Sequence, residues 1–387
     1  MLTTTPASTA RQLDEILEQV GGVLDIGEDL YEIAVREYQA VGQHLARPAS
    51  RIARYSPQIY PQGSFVLGTM ILPLLDGCEY DVDSVVTLNL AKESITQEQL
   101  KQLVGDELVL AYAKVLKECR RCWSLKFEKR FHLDVLPSIP DLELGGTAIL
   151  LTDTDLLRWQ HSNPKAYARW FQGRMATVLA EIKKSMALKL RASIDEIPDW
   201  RVRTPLQRVV QLLKRHRDLF FREDLDHRPA SIVLTTLAAQ CYKGQISVTD
   251  ALISAVDLMP RLAAPREGTY QILNPVNPLE NFADKWNEDP ALARRFFRWT
   301  AAVKEDVATW TSATGGVMKL STPMSSAFGE SIIQKALVRH GQSMAKNRAA
   351  GVLGMAVGTG TLVERMTPTP RAVPVRSHTF YGDDSVG

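Results

Sequence analysis

The sequence predicts an α+β protein of two lobes, strand-bearing at first and mainly helical afterwards. Three observations carry this reading. Strand-like alternation is confined to the first 150 residues, over 58–90 and 124–137. Beyond about residue 150, apolar residues recur at helical spacing over 164–192, 205–222, 229–243 and 248–263. A chain of 387 residues also exceeds what one hydrophobic core usually serves. The expected organisation is an N-terminal helix and mixed or antiparallel core over 1–150, a helical lobe over 151–342 and a flexible tail over 343–387.

Residues 9–45 carry helical spacing (Leu13, Ile16, Leu17, Val20) and read as one or two long helices, with Gly21-Gly22 as a candidate interruption. Residues 61–88, PQGSFVLGTMILPLLDGCEYDVDSVVTL, hold a Gly-Ser turn, a short helix opening at Ser64, and a strand bearing Asp81 and Asp83. Residues 97–118 read as a helix. In SLKFEKRFHLDVLP (124–137), Leu125, Phe127, Phe131, Leu133 and Val135 share one face, and Lys126, Arg130, His132 and Asp134 the other. Lys129-Arg130 in its middle suggests a hairpin turn. Thr204-Pro205 is a helix start, a capping oxygen followed by proline at the first helical position. NPVNPLENFADKW (274–286) is a Pro/Asn-rich loop entering a helix that runs towards Trp310, and a last helix is expected over 325–342. Trp159, Tyr167, Trp170 and Phe171 recur at helical spacing and read as core packing.

Composition narrows the function classes. With 46 Lys+Arg against 44 Asp+Glu, the formal charge of +2 argues against a protein that coats nucleic acid. No stretch is long and apolar enough to span a bilayer, and the N-terminus lacks the basic start and apolar core of a signal peptide, so a cytoplasmic protein is expected. The four cysteines form no disulfide framework, and Cys119-x-x-Cys122 with His132 lacks the second ligand pair of a zinc knuckle.

The chemistry concentrates in three carboxylates. Asp81 and Asp83 are two residues apart, so a strand points both to one face. Carboxylates that close repel each other unless a cation lies between them. Hard Mg²⁺ prefers such oxygen ligands, completed by water and substrate phosphate. Asp134, on the polar face of a second strand, supplies a third carboxylate, and three suit two-metal phosphoryl transfer. Gly63-Ser64 fits the same scheme, because glycine lets the backbone approach a phosphate that the serine hydroxyl and N–H groups can bind. Alone, a DxD is often a solvated pair and a Gly-Ser usually a turn. It is their joint occurrence, in this order and on strand-like backgrounds, that points to a metal site.

Gly63-Ser64 with Gly68-Thr69, Asp81-Val82-Asp83 and then Asp134 resemble the nucleotidyltransferase superfamily that includes DNA polymerase β. SNPKAYARWF (162–171), TPLQRVVQLLKRHRD (204–218), RPASIVLTTLA (228–238) and NPVNPLENFADKW narrow the resemblance. Over about residues 55–310 the chain is similar to the bacterial CD-NTases, the cyclic GMP-AMP synthase/DncV-like nucleotidyltransferases of CBASS anti-phage systems.

That resemblance implies a bilobal fold, a polymerase β-like core packed on a helical lobe with the active site between them. It implies condensation of nucleoside triphosphates into a cyclic di- or trinucleotide that activates an effector. By position, Asp81, Asp83 and Asp134 would be catalytic and bind Mg²⁺, with Mn²⁺ as a substitute. Gln62, Gly63 and Ser64 would meet the donor triphosphate, Lys214 would reach it, and Ser231 would lie near base or phosphate.

The residues alone leave more open. Lys214 and Arg217 are one turn apart and could face an anion together, although Arg215 and Arg217 fit a solvated basic face equally well. Ser231, after Pro229, also reads as a plain helix cap, and His132 as a polar strand residue. Other superfamily transferases, acting on RNA, a protein or a small molecule, are the alternative, and a non-enzymatic nucleotide- or RNA-binding scaffold is a third. No stable nucleic-acid partner is expected. The tail ends SHTFYGDDSVG, and in one class of these systems a ubiquitin-transfer-like accessory protein acts on the synthase's C-terminal glycine. Gly387 is therefore a candidate conjugation end, against a fortuitous terminal glycine.

Overall fold

The structure is a computed structural model that describes residues 7–74, 79–127, 131–153, 159–190, 202–313 and 317–350, and three short strands within 353–374. The chain forms two compact units, Leu24–Val307, and Met1–Val23 together with Ala308–Gly387. The strand-bearing core and most of the helical segment therefore share one unit, while the N-terminal helix groups with the C-terminal part. No helix among the described residues is long and apolar enough to cross a membrane.

In the larger unit, helix α2 (Glu28–Ala46) precedes strand β1 (Gln58–Pro61), the one-turn helix α3 (Gly63–Leu67) and strand β2 (Tyr80–Thr87). Helix α4 (Gln97–Tyr112) then leads to β3 (Leu116–Glu118), β4 (Trp123–Phe127), β5 (Phe131–Pro140), β6 (Ile149–Leu151) and β7 (Gln160–Ser162). The sheet order is β1-β2-β5-β4-β3, with β6 on β5 and β7 on β6. β4 and β5 form the expected antiparallel hairpin, with Ser124 opposite Asp134, although its turn lies outside the described residues. The pairing of β2 with β5 is parallel, which local alternation does not reveal. A parallel pair needs a crossover, supplied here by α4, β3 and β4.

Val82 and Val86 of β2 and Leu133 and Val135 of β5 are buried with Ala34, Val41 and Leu45 of α2 and Leu100, Val104 and Leu108 of α4. Thr96 and Gln99 start α4 with a reciprocal capping box. That helix ends at Tyr112, earlier than expected, and its remainder forms β3.

Helices α5 (Pro164–Leu190), α6 (Pro205–Phe220), α7 (Ser231–Cys241) and α8 (Val248–Leu262) follow the predicted order. α6 starts where Thr204-Pro205 indicates, Thr204 and Gln207 making its capping box. Tyr167 and Phe171 are buried, as core packing requires. The 274–286 segment forms a small hairpin, β8 (Leu273–Asn274) with β9 (Asn277–Asn281), followed by α9 (Asp284–Glu288) and α10 (Pro290–Ser312). Trp299 donates its indole N–H to His216 Nδ1 at 3.1 Å, and His216 Nε2 donates to Asp306 at 2.9 Å, fixing α6 against α10.

In the smaller unit, helix α1 (Ala7–Leu24) runs unbroken through Gly21-Gly22. Of the one or two helices read over 9–45 there are two, and the break falls after Leu24, not at the candidate Gly21-Gly22. A Cβ on Gly22 would lie 3.2 Å from Arg339 Nη1, so the residue meets a close neighbour. Helices α11 (Val317–Phe328) and α12 (Glu330–Ala349) form the C-terminal part, α12 extending beyond the expected 342. Three strands, β10 (Leu353–Ala356), β11 (Leu362–Glu364) and β12 (Ala372–Pro374), pair in the order β11-β10-β12. Part of the segment read as a flexible tail is therefore folded, while Gly387 lies outside the described residues.

Candidate active site

The parallel register assembles the carboxylates. It sets Asp83 opposite Asp134 and Asp81 opposite His132, on the face where these residues alternate with buried Val82 and Leu133. Ligand atoms of Asp81, His132 and Asp134 lie within 4.8 Å of one another, the one such cluster among the described residues. Asp134 Oδ1 is buried without a hydrogen-bond partner, and a buried acceptor in that state calls for a cation or water. Burial first, then Asp81 and Asp134, push the Asp83 carboxyl up to about 7, against the pull of Lys214 and His132. Repelling carboxylates with an orphaned oxygen form a donor set that fits a hard divalent cation.

His132 belongs to this cluster, contrary to its reading as an ordinary polar strand residue. Its Nε2 lies 3.3 Å from Asp81 Oδ1 and its Nδ1 3.7 Å from Glu79 Oε2. The bond to Asp81 is the main cause that raises the His132 pKa. Such a contact holds the Asp81 carboxylate in one orientation. Its position two residues before Asp134, on the same face, was the available sequence signal.

The Gly-Ser turn lies directly against β2. Gln62 N donates to Asp83 O at 2.8 Å, and Gly63 has φ +64°. A Cβ on Gly63 would lie 2.5 Å from Asp83 Oδ2, so only glycine fits. α3 is capped by Gly68, also left-handed at φ +65°, and Thr69 N donates to Ser64 O at 2.9 Å. Ser64 itself is half-buried at the start of that turn.

Lys214, buried on α6, donates to Thr69 O at 3.0 Å. Burial first and Arg217 second lower its pKa from 10.5 to about 7, opposed by Asp218, Asp83 and Asp81. Between about pH 7 and 10.5 the unfolded chain therefore binds more protons than the native one, and stability rises with pH across that window. Wild type should accordingly lose stability relative to Lys214→Met as pH falls from 10 towards 7, read as urea midpoints. A difference that does not change with pH would contradict this.

Arg215 and Arg217 are buried, so the solvated-face reading is incorrect for both. Arg215 donates to Pro73 O at 3.4 Å. Arg217 donates to Pro229 O at 3.0 Å, to Ser231 Oγ at 2.9 Å and to Asp218 Oδ1 at 2.7 Å. Ser231 is the first residue of α7, behind the N-cap Ala230, so capping is not its role. Because its oxygen accepts from Arg217, its own proton is left to donate elsewhere. Cys119 and Cys122 are free thiols flanking the β3–β4 turn and stand outside the ligand cluster. Burial, with Asp134 and Cys119 nearby, pushes the Cys122 thiol up, which keeps it protonated.

Residues 22–174 match the Second Messenger Oligonucleotide or Dinucleotide Synthetase domain. A c-di-GMP synthase of Roseivirga ehrenbergii is 30% identical over 394 residues, 99% of this chain and 100% of that protein. The cyclic dinucleotide synthase CdnG of Bradyrhizobium diazoefficiens is 22% identical over 414 residues, 97% and 95% of the two chains. The structure of Bradyrhizobium diazoefficiens CdnG in complex with GTP superimposes with a TM-score of 0.70 at 20% identity, covering 85% of this chain and 99% of that one. This last likeness establishes the fold, a polymerase β-like core with a helical lobe.

Proposed function

This chain belongs to the CD-NTases, the second-messenger oligonucleotide and dinucleotide synthetases, and on that premise we propose that it links nucleoside triphosphates into a cyclic di- or trinucleotide. The observation that supports this reading is the β2–β5 register, with Asp83 opposite Asp134 and Asp81 opposite His132, and the Gly63-Ser64 turn against Asp83. GTP is the first substrate to test, since the two relatives are named for cyclic dinucleotides and the solved CdnG holds GTP.

Asp81, Asp83 and Asp134 would hold the divalent cations, Mg²⁺ or in its place Mn²⁺, which when bound polarise the attacking hydroxyl and neutralise the triphosphate. His132 keeps Asp81 oriented for that task. Ser64 and the N–H groups of the Gln62-Gly63 turn would receive the triphosphate, with Lys214 reaching it from α6 and Ser231 of α7 near base or phosphate. A 3′- or 2′-hydroxyl forms a new P–O bond to the α-phosphorus, the α–β bond breaks, and pyrophosphate leaves. Asp134 would accept the hydroxyl proton, and a second round closes the ring. Catalysis rests on positioning and charge neutralisation.

The product would act on a downstream effector. Conjugation at Gly387 by a ubiquitin-transfer-like accessory protein stays a proposal founded on the family resemblance. Incubation with labelled ATP, GTP, CTP and UTP and Mg²⁺ tests the reading. A phosphatase-resistant small product supports it; long RNA, or no product with candidate activators supplied, contradicts it.

A further inference from the structure

The segment from Leu67 to Pro73 joins α3 towards β2 yet belongs to no sheet. Leu67, Thr69 and Met70 are buried, so their carbonyls need donors from elsewhere. Those donors are side chains of α6. Gln207 Nε2 donates to Leu67 O at 2.9 Å, Gln211 Nε2 to Met70 O at 2.9 Å, Lys214 Nζ to Thr69 O at 3.0 Å and Arg215 to Pro73 O at 3.4 Å. Positions 207, 211 and 214 share one helix face, which on a packed helix is ordinarily apolar. Buried amides there are unfavourable unless bonded; Gln211 has both N–H groups and its oxygen paired, and Gln207 has a partner at each end.

Gln207 uses both ends of its amide. Its oxygen accepts Thr204 N at 2.9 Å, which closes the capping box, while its nitrogen holds Leu67 O. Gln211, fully buried, donates also to Asp25 Oδ1 at 2.8 Å and accepts from Arg208 at 2.9 Å. Arg208 in turn donates to Asp25 Oδ2 at 2.8 Å. The fit at the turn is close, since a Cβ on Gly68 would lie 2.5 Å from Gln207 Nε2.

We propose that Gln207 and Gln211 are positioning residues that fix the spacing between the Ser64 turn and Lys214 by gripping the backbone carbonyls between them. This rests on the assignment of Ser64 and Lys214 to the triphosphate. The grip begins at Leu67, the last residue of the one-turn helix that opens with Gly63-Ser64, and it ends on the helix that carries Lys214. A slip of that segment by a fraction of an ångström moves one phosphate contact relative to the other, and misplacement on that scale lowers rates strongly.

Two variants at one position separate this role from helix capping. Gln207→Glu keeps the acceptor for Thr204 N but cannot donate to Leu67 O. Gln207→Lys keeps a donor but loses the cap acceptor. Both are compared with wild type for the affinity of a non-hydrolysable GTP analogue, for kcat and KM with GTP, and for thermal midpoint.

Positioning predicts that Gln207→Glu loses about tenfold to a hundredfold in analogue affinity and in kcat/KM, the scale of leaving one buried carbonyl unbonded. It predicts that Gln207→Lys stays within about threefold of wild type in both, although its midpoint falls with the cap. Gln211→Glu, which also loses its donors, should behave like Gln207→Glu. The proposal is overturned if Gln207→Glu binds and turns over like wild type, or if Gln207→Lys loses at least as much as Gln207→Glu. Binding is scored separately from product, so a wild type that binds the analogue but makes no cyclic product would refute the functional reading and leave the comparison interpretable.

Discussion

Asp134→Asn is expected to lower cyclic product formation by at least about a thousandfold, roughly 4 kcal/mol of transition-state stabilisation, the scale of losing a metal-held charge. The variant keeps the size of the side chain and its place opposite Asp83 on the β2–β5 ladder. It removes one of the negative charges that raise the Asp83 pKa, so the protein without metal should be no less stable than wild type. Activity and stability therefore part company. Assay of turnover beside a thermal melt in chelator checks both halves. Near-wild-type turnover would remove Asp134 from the metal site, and a large fall in midpoint would make its role structural.

Gly63→Ala should cost about a hundredfold in turnover, through geometry and not charge. The residue has φ +64°, and its new Cβ would lie 2.5 Å from Asp83 Oδ2. Either the turn shifts or the carboxylate does, and both are parts of the proposed site. Left-handed backbone alone costs a non-glycine residue roughly 1–2 kcal/mol. Gly145→Ala separates the two effects, because Gly145 has φ +67° and no atom within 4 Å of a Cβ. Gly145→Ala should lower the thermal midpoint by a similar strain while turnover holds. Equal losses of activity in the two variants would refute the close-contact argument.

The residues that were readable are those whose chemistry is local. Asp81 and Asp83 stand out because carboxylates are rare on a half-buried strand, and Asp134 because alternation assigns it a face. Thr204-Pro205 marked its helix for a local reason too, since a cap and its proline act within one turn. What escaped depends on distant chain. The parallel pairing of β2 with β5 is a register between strands about fifty residues apart, and nothing in either strand encodes it. His132 joined the cluster only through that pairing.

The polar face of α6 was left open for a related reason. Arg215 and Arg217 fit a solvated face by hydropathy, yet they are buried, and so are Gln207 and Gln211, which the sequence did not single out. A helix pattern records polarity but not which partner satisfies it. Gly21-Gly22 is the opposite case, a candidate interruption that the helix tolerates. The fold around 353–374 was hidden by low periodicity and short strands of three or four residues.

The β2 and β5 carboxylates are proposed to hold the divalent cations on which phosphoryl transfer runs. The most direct test is anomalous scattering from crystals grown with Mn²⁺ and a non-hydrolysable GTP analogue. The expected result is Mn²⁺ density about 2.0–2.3 Å from carboxylate oxygens of Asp81, Asp83 and Asp134, with the triphosphate against the Gly63-Ser64 turn. Nucleotide bound in the site with Mn²⁺ density away from these three carboxylates, or with none at them, would contradict it.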